Sequence, residues 1–196
     1  IKNLPSKKEV KKGAFPFDTK GKKIILYQGA LNVGRGIELM IETMRFLENH
    51  VLVLIGDGDI YQTLKDTVFA EALGNKVFFL GKILPKELHK LTPLADIGLS
   101  LEEDLGLNYR FALPNKIFDY IQAEVPILIS NLPEMSAIVN HYNVGEIVLN
   151  KTPENLANQI KQLLEKDFTQ KLKVEKEVLI WEKQEQKLMA IFNNLK

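Results

Sequence analysis

The chain contains no cysteine, which excludes disulfide bonds, thiolate nucleophiles and cysteine-ligated metal sites. Its three histidines, His50, His89 and His141, have no spacing typical of a metal or catalytic site. It also lacks an apolar run of membrane-spanning length and the pattern of a signal peptide. What is present is an ordinary globular composition, with 45% hydrophobic and 26% charged residues among 196.

Positive charge is concentrated at the beginning of the chain. Residues 1–23 hold eight lysines against two acids, whereas the rest holds 18 basic and 23 acidic residues. Prolines and glycines interrupt this segment, and aromatic residues do not interleave with its lysines. We therefore predict a linker over residues 1–21 and expect no nucleic-acid partner. Because the first residue is Ile, we also expect the chain to begin inside a longer protein.

Short apolar runs alternate with helical patterns over residues 22–167. The predicted strands are 24–27, 51–55, 77–80, 97–101, 127–130 and, more weakly, 145–149. The predicted helices lie near 34–48, 59–73, 85–92, 114–123 and 153–165. Strands that are apolar on both faces and separated by helices indicate a parallel sheet covered on both sides. We predict an α/β fold, a Rossmann-like doubly wound sheet of about six strands that binds ligands at the carboxyl ends of its strands.

Residues 168–196 predict a charged, amphipathic helical extension. Its apolar positions are Leu172, Val178, Trp181, Leu188, Ile191, Phe192 and Leu195. Their spacing forms one stripe, which suits two segments that meet near Trp181. Such a stripe either caps the sheet or packs on a partner domain outside this chain.

The most informative motif is segment 113–126, where a predicted helix leads into the strand at 127–130. Pro114 suits the first helical turn, because its missing N–H would be unpaired there. Asn115 and Lys116 place free amides and a cation at the positive end of the helix, and Asp119 follows one turn on. Amides and a cation for phosphates, with a carboxylate for ribose hydroxyls, are what a nucleoside diphosphate requires.

The loop after the first strand, residues 29–36, contains three glycines. It departs from the pattern G-x-x-x-x-G-K-[ST], because Arg35 replaces the lysine and Gly36 replaces the hydroxyl residue that holds Mg²⁺. A nucleoside triphosphatase is therefore disfavoured, and the glycine spacing also disfavours a nicotinamide dehydrogenase. Two interpretations of Arg35 remain, one as a ligand of phosphate oxygens and one as a solvated side chain.

Two further turns follow the second and third strands. The turn that begins at Gly56 contains a D-x-D element, but ordinary turn chemistry with Asp59 as a helix N-cap explains it better, so we predict no metal site. The next turn offers backbone groups of Gly81, Lys82 and Ile83 to the edge of a nucleobase.

The loop after the fourth strand, residues 102–110, is long and polar. Its carboxylates and Asn108 are candidates to bind sugar hydroxyls, since long ordered loops at this edge of a sheet usually bind ligands. An acidic tip in solvent is the alternative.

Taken in order, these segments resemble the carboxyl-terminal, donor-binding domain of GT-B glycosyltransferases, the retaining group 1 (family 4-like) enzymes that use nucleotide-diphosphate sugars. The resemblance rests on residues 27–36, 54–58, 77–81, 95–96 and 116–126, and on Trp181-Glu182, where the family's last helix crosses back to the amino-terminal domain. Each match is weak alone, whereas their order is specific.

The resemblance implies a hexosyltransferase-type enzyme of polysaccharide biosynthesis that takes a UDP-, GDP- or ADP-sugar and requires no metal or other cofactor. Arg35 and Lys116 would be its catalytic cations. The donor would contact Gly29, Arg35, Gly56, Gly81, Lys82, Ile83, Asn108, Asn115, Lys116 and Asp119. The acceptor would lie on the protein's own N-terminal domain, so we expect this chain alone to be inactive in transfer.

The sequence departs from the family pattern at three places. In the first loop the family's arginine is missing, since Ala30 follows Gly29, and Arg35 stands where the family usually has lysine. The family has two glutamates with seven residues between them. The second matches Asp119, which is one methylene shorter, and the first falls on Phe111. The groups that remain to replace the first glutamate are Glu102, Glu103, Asp104 and Asn108. Glu124 stands where the family generally has glycine, so a left-handed backbone there would cost roughly 1 kcal/mol.

Two other functions remain open. A sugar-nucleotide epimerase of the same architecture would consume donor without an acceptor, and a non-catalytic association domain would account for the apolar tail. We expect a cytoplasmic protein, with peripheral contact at the inner membrane face if the acceptor is lipid-linked.

Overall fold

The structure, a computed structural model, describes residues 2–7 and 9–193, which form a parallel sheet covered by helices. The strands are β1 (Lys23–Gln28), β2 (His50–Ile55), β3 (Val77–Gly81), β4 (Ile97–Ser100), β5 (Ile127–Ile129) and β6 (Gly145–Ile147). They form a six-stranded sheet in the order β3-β2-β1-β4-β5-β6, and each neighbouring pair is parallel. The predicted Rossmann-like fold is confirmed.

The helices follow the strands in alternation. They are α1 (Ile37–Thr43), α2 (Tyr61–Ala70), α3 (Pro85–Leu91), α4 (Leu107–Arg110), α5 (Asn115–Gln122), α6 (Pro133–Tyr142), α7 (Pro153–Leu164), α8 (Thr169–Val178) and α9 (Trp181–Asn193). Short 3-10 helices, Met44–Phe46 and Thr92–Leu94, follow α1 and α3. Helix α6 is absent from the sequence prediction, and α4 lies inside the predicted long loop. None of the helices in the described part of the chain is long and apolar enough to cross a membrane.

Alternating strand residues build two hydrophobic cores, one on each face of the sheet. Along β1, Ile25 and Tyr27 belong to one core and Leu26 belongs to the other. Helices α1, α2 and α7 cover the first face, and α5, α6 and α8 cover the second. This period-2 alternation explains why strands buried on both faces appear in the sequence as continuous apolar runs.

The strand order reverses between β1 and β4, which makes their carboxyl ends the topological switch point of the sheet. Helix α5 is fixed at this point by Tyr120, which is fully buried. The Tyr120 hydroxyl accepts a hydrogen bond from the Gln28 amide at 3.1 Å and lies 3.2 Å from the Leu26 carbonyl oxygen. Gly98 of β4 makes room for the ring, because a Cβ atom there would lie 2.5 Å from it.

The two ends of the chain pack on the domain to different degrees. In the predicted linker, Leu4 is buried and the ring of Phe17 stacks on Phe78 with centroids 4.0 Å apart. The predicted tail forms two helices, α8 and α9, that meet at Trp181, whose amide donates to the Pro5 carbonyl oxygen at 2.9 Å. Helix α8 buries Leu172, whereas no described residue of α9 is buried. Ile1, Lys8 and residues 194–196, which include the predicted apolar position Leu195, lie outside the described part.

Candidate functional site

A cavity of about 380 Å³ opens at the carboxyl ends of β1 and β4. It is lined by the end of β1 with the loop that follows, by Glu102 after β4, and by residues 112–116 with Asp119. Switch points of open parallel sheets are where ligands bind in this architecture. The cavity therefore lies where the sequence predicted a site.

The loop from β1 to α1 is held tightly against the end of β4. Gly36 has φ 68°, and a Cβ atom there would lie 2.4 Å from the Leu101 carbonyl oxygen, so the approach requires glycine. The Glu103 amide donates to the Gly34 carbonyl oxygen at 2.9 Å. This contact between two loops far apart in sequence places Arg35 beside Glu102.

Three charged side chains meet in the cavity. The carboxylate of Glu102 is fully buried, and its Oε1 lies 2.8 Å from Lys116 Nζ and 3.7 Å from Arg35 Nη1. Ser100 Oγ donates to the other oxygen, Oε2, at 2.8 Å. Lys116 is only 8% exposed, whereas the Arg35 side chain is 31% exposed. The two predicted cations thus converge on one carboxylate oxygen.

The Lys116 ammonium also lies over an aromatic ring. Its Nζ is 4.0 Å from the ring centroid of Tyr27, a distance at which a cation is attracted to the negative ring face. The Tyr27 hydroxyl donates to the Ala30 carbonyl oxygen at 2.7 Å, which fixes the ring in place. A carboxylate and a ring together hold the ammonium at the wall of the cavity.

Burial and neighbouring charges shift the proton affinities of these groups. Burial alone would raise the pKa of Glu102, but the Lys116 charge and hydrogen bonding bring the pKa below its ordinary value. Burial lowers the pKa of Lys116, and the Glu102 carboxylate opposes that change. Burial, with the Glu102 charge, raises the pKa of Tyr27. The carboxylate is therefore the group that favours the charged form of Lys116.

Helix α5 presents its amino-terminal end to the cavity, one residue later than predicted. Pro114 is the N-cap, with φ −63° and ψ 135°, and Asn115 is the first helical residue. Proline fixes φ but leaves ψ free, and here ψ is extended. The Asn115 side chain accepts a hydrogen bond from Asn3 Nδ2 at 3.2 Å. The helix start thus lies at the cavity, and anion binding there stays a prediction from the sequence.

Asp119 lines the cavity one turn further along α5, as the sequence predicted. Its Oδ2 accepts a hydrogen bond from Gln28 Nε2 at 3.2 Å. Gln28 is itself buried, and its Oε1 accepts from Thr92 Oγ1 at 2.9 Å. The contact with Gln28 therefore helps to fix the Asp119 carboxylate at the cavity.

A second hollow of about 480 Å³ adjoins the first. Gly29, Ala30, Gly56, Asp57, Gly58, Lys82 and Ile83 line it. A Cβ atom at Gly56 would lie 1.8 Å from the Gly29 carbonyl oxygen, so the close contact of the two loops at this point requires glycine. Gly81 does not line the hollow but accepts a hydrogen bond from the Gly56 amide at 2.9 Å.

The predicted N-cap role of Asp59 is wrong. Helix α2 begins at Tyr61 and its N-cap is Ile60. The Tyr61 amide donates to the Gly58 carbonyl oxygen at 3.1 Å, and the Asp59 amide donates to Asn32 Oδ1 at 3.1 Å. The turn is thus longer than the sequence signal suggested.

The acidic loop after β4 separates into groups with different environments. Asn108 is exposed on α4 and lines neither the cavity nor the hollow. Asp104 is paired with Arg110, their atoms 2.6 Å apart, at the exposed tip. Glu102, which the sequence placed among candidate sugar ligands, is instead a buried counter-ion. Sequence reasoning also missed Gln28, although a polar residue that ends an apolar strand was a usable signal.

The chain belongs to the glycosyl transferases of group 1, because the sequence model of that family matches residues 9–178. This assignment agrees with the Rossmann-like sheet and the cationic cavity at its switch point. The GT-B resemblance predicted from the sequence is confirmed.

Individual proteins are similar to this chain in sequence or in fold. An uncharacterized glycosyltransferase of Methanocaldococcus jannaschii is 30% identical over 147 residues, which make up 72% of this chain and 36% of the relative. The HepE structure from Anabaena in complex with UDP has a TM-score of 0.74 at 15% identity and covers 90% of this chain. A sucrose-phosphate synthase from Thermosynechococcus elongatus has a TM-score of 0.69 at 19% identity and covers 91%. This chain spans 50% and 46% of those two structures.

Proposed function

We propose that this chain binds a nucleoside diphosphate sugar as the donor of a glycosyl transfer reaction. The observation that carries the proposal is the convergence of Arg35 and Lys116 beside the start of α5, at the topological switch point of the sheet. Helix amides and two cations suit a diphosphate, and Asp119 suits the ribose hydroxyls. The adjoining hollow, where Lys82 and Ile83 lie, is the proposed place of the base.

The proposed chemistry requires stabilisation of a leaving group. As the bond between the sugar and the phosphate breaks, negative charge accumulates on the diphosphate, and fixed cations lower the energy of that state. Arg35 is the more accessible of the two cations and would contact the phosphates directly, while Lys116 acts from the wall. Loss of one such donor costs about 10²-fold or more in rate.

The acceptor and the stereochemistry are further parts of the proposal. We assign retention of anomeric configuration, with the acceptor on an amino-terminal domain, and we take the absence of a metal requirement as an expectation. The exposed side chains of Met189, Ile191 and Phe192 on α9 suit packing against such a domain. UDP is the first nucleotide to test, because the Anabaena protein was solved with UDP and with UDP-glucose. GDP and ADP follow as alternatives.

Calorimetric titration with UDP tests the proposal in the variant Arg35→Met. Methionine keeps the apolar stem of the arginine but removes the charge, so UDP affinity should fall by about tenfold or more, as for the loss of a charge-assisted hydrogen bond. The matched control is Arg110→Met, which removes the exposed arginine of the Asp104 pair outside the cavity. It should leave UDP affinity unchanged. Equal losses in both variants, or no binding of UDP, GDP or ADP by the wild type, would contradict the proposed function.

A further inference from the structure

Glu102 is a buried acid that donor binding alone does not explain. Its carboxylate is fully buried at the base of a cavity assigned to an anion, where a negative charge opposes the ligand. A buried ion pair is in general weak evidence for stability, because the cost of removing both charges from water offsets their attraction. A role in ordering the site is a better explanation than a contribution to stability.

The two carboxylate oxygens of Glu102 have different partners. Oε2 accepts from Ser100 Oγ at the end of β4, which fixes the carboxylate on the sheet. Oε1 faces both Lys116 and Arg35. Lys151, which follows β6, donates to the Glu102 carbonyl oxygen at 2.9 Å and holds the same backbone. The carboxylate is thus a fixed point at which a side chain from the loop after β1 and a side chain from helix α5 meet.

We propose that Glu102 is a positioning residue, whose carboxylate holds the Lys116 ammonium and the Arg35 guanidinium together as a built-in counter-ion so that they receive the donor diphosphate. This inference rests on the proposed function. Without Glu102, the two like charges would repel each other in a site that water reaches poorly. Lys116 would then stay buried against the Tyr27 ring but would lose its anionic partner.

The surroundings of Lys116 determine how it responds to the loss of that partner. The titratable and charged groups near the pair are Arg35 from the loop after β1, Tyr27 from β1, Tyr120 and Asp119 from α5, and Lys151 after β6. Burial lowers the pKa of Lys116 and Glu102 raises it. Removal of the carboxylate therefore lowers the pKa of Lys116 further, and the site loses its cation as the pH rises.

The variant Glu102→Gln tests the positioning role of Glu102. Its affinity for UDP is measured by titration from about pH 7 to about pH 10, a range that approaches the ordinary pKa of lysine. Above the lowered pKa of Lys116, UDP affinity in the variant should fall by about tenfold per pH unit, and this fall should begin at a lower pH than in the wild type. A residue with a merely structural role would lower affinity by the same factor at every pH. The matched control is Glu103→Gln, the adjacent half-buried acid that does not line the cavity, and its profile should follow the wild type.

An NMR pH titration of the Lys116 side chain measures its pKa without any nucleotide. The signal of Lys116 is identified because it disappears in the variant Lys116→Arg. The Lys116 pKa should be lower in Glu102→Gln than in the wild type, and an equal or higher pKa overturns the inference. If Glu102→Gln does not fold, the same NMR titration of the wild type tests the inference, because a neutral Lys116 at pH 7 would overturn it. If the wild type binds UDP and both variants keep its pH profile, the role of Glu102 is refuted but the proposed function stands. If the wild type binds no nucleotide, the proposed function itself is refuted.

Discussion

Asp119 is the acidic side chain that helix α5 presents to the cavity, and Gln28 holds it in place. The hydrogen bond of 3.2 Å from Gln28 Nε2 engages Oδ2 of Asp119. Because an ionised carboxylate only accepts hydrogen bonds, Asp119 is suited to accept hydrogen bonds from the hydroxyl groups of a ribose. Its side chain is one methylene shorter than the family's glutamate, and the anchoring by Gln28 compensates by fixing the shorter group.

The variant Asp119→Ala should lose discrimination between UDP and 2′-deoxy-UDP. In the wild type, UDP should bind more tightly, because a site that hydrogen-bonds a hydroxyl leaves a polar group unpaired when the hydroxyl is missing. The substitution should lower the affinity for UDP by about tenfold and should change the affinity for 2′-deoxy-UDP little. Competition titrations with the two nucleotides measure the ratio of affinities. If the ratio is the same in both proteins, Asp119 does not contact the ribose.

The site residues divide by whether their signal is local in sequence. The position of Arg35 and Lys116 at the cavity could be predicted, because each lies in a short motif near the start of a helix. The role of Glu102 could not, since it depends on the loop after β1 and the start of α5 meeting across the switch point. Asn108 stays a prediction: its polarity and loop position favoured a ligand contact, and in the structure it is exposed on α4, outside the linings of the cavity and the hollow.

At the scale of elements, the strands were predictable because burial on both faces produces apolar runs that few other structures require. Helix α6 was missed although its signals are present, with Pro133 in the first turn and Asn143 as a left-handed cap at φ 52°. Helix α4 is too short for a periodic pattern, since it spans one turn of four residues, Leu107–Arg110. Element boundaries depend on such local hydrogen bonds more than on periodicity.

Helix α5 ends in a strained conformation that the sequence did indicate. Glu124 follows the helix with φ 58°, a left-handed backbone in which a side chain is unfavourable. The Glu124 carboxylate lies 2.5 Å from Lys176 Nζ of α8, which ties the end of α5 to the tail. Both side chains are largely buried, and this ion pair contributes roughly 0.5 kcal/mol, so it offsets only part of the strain.

The variant Glu124→Gly should raise the free energy of unfolding by roughly 0.5 kcal/mol, because the relief of about 1 kcal/mol of backbone strain exceeds the lost ion pair. Ala72→Gly is the matched comparison, since Ala72 has φ 53° and is exposed. It should stabilise by roughly 1 kcal/mol. Urea unfolding of the three proteins measures both differences. Destabilisation by both glycines would show that the left-handed backbone carries no strain.

At the scale of the whole molecule, the sheet order determines where a ligand can bind. Both the cavity and the hollow lie at the carboxyl edge of the sheet, and the loops after β1, β2, β3 and β4 contribute to them. The α9 helix carries exposed apolar residues on the same chain, which suits the proposed contact with an amino-terminal domain. In our proposal this chain supplies the donor site, and an amino-terminal domain supplies the acceptor.

A crystal structure of this chain in complex with UDP would test the proposed donor site most directly. We expect the diphosphate in the cavity between β1 and β4, within about 3.5 Å of the Arg35 guanidinium and of the amides at the start of α5. Lys116 should remain in contact with Glu102, and the uracil should lie in the hollow beside Lys82 and Ile83. UDP bound elsewhere on the chain, or in this cavity with its phosphates turned away from Arg35 and α5, would contradict the account.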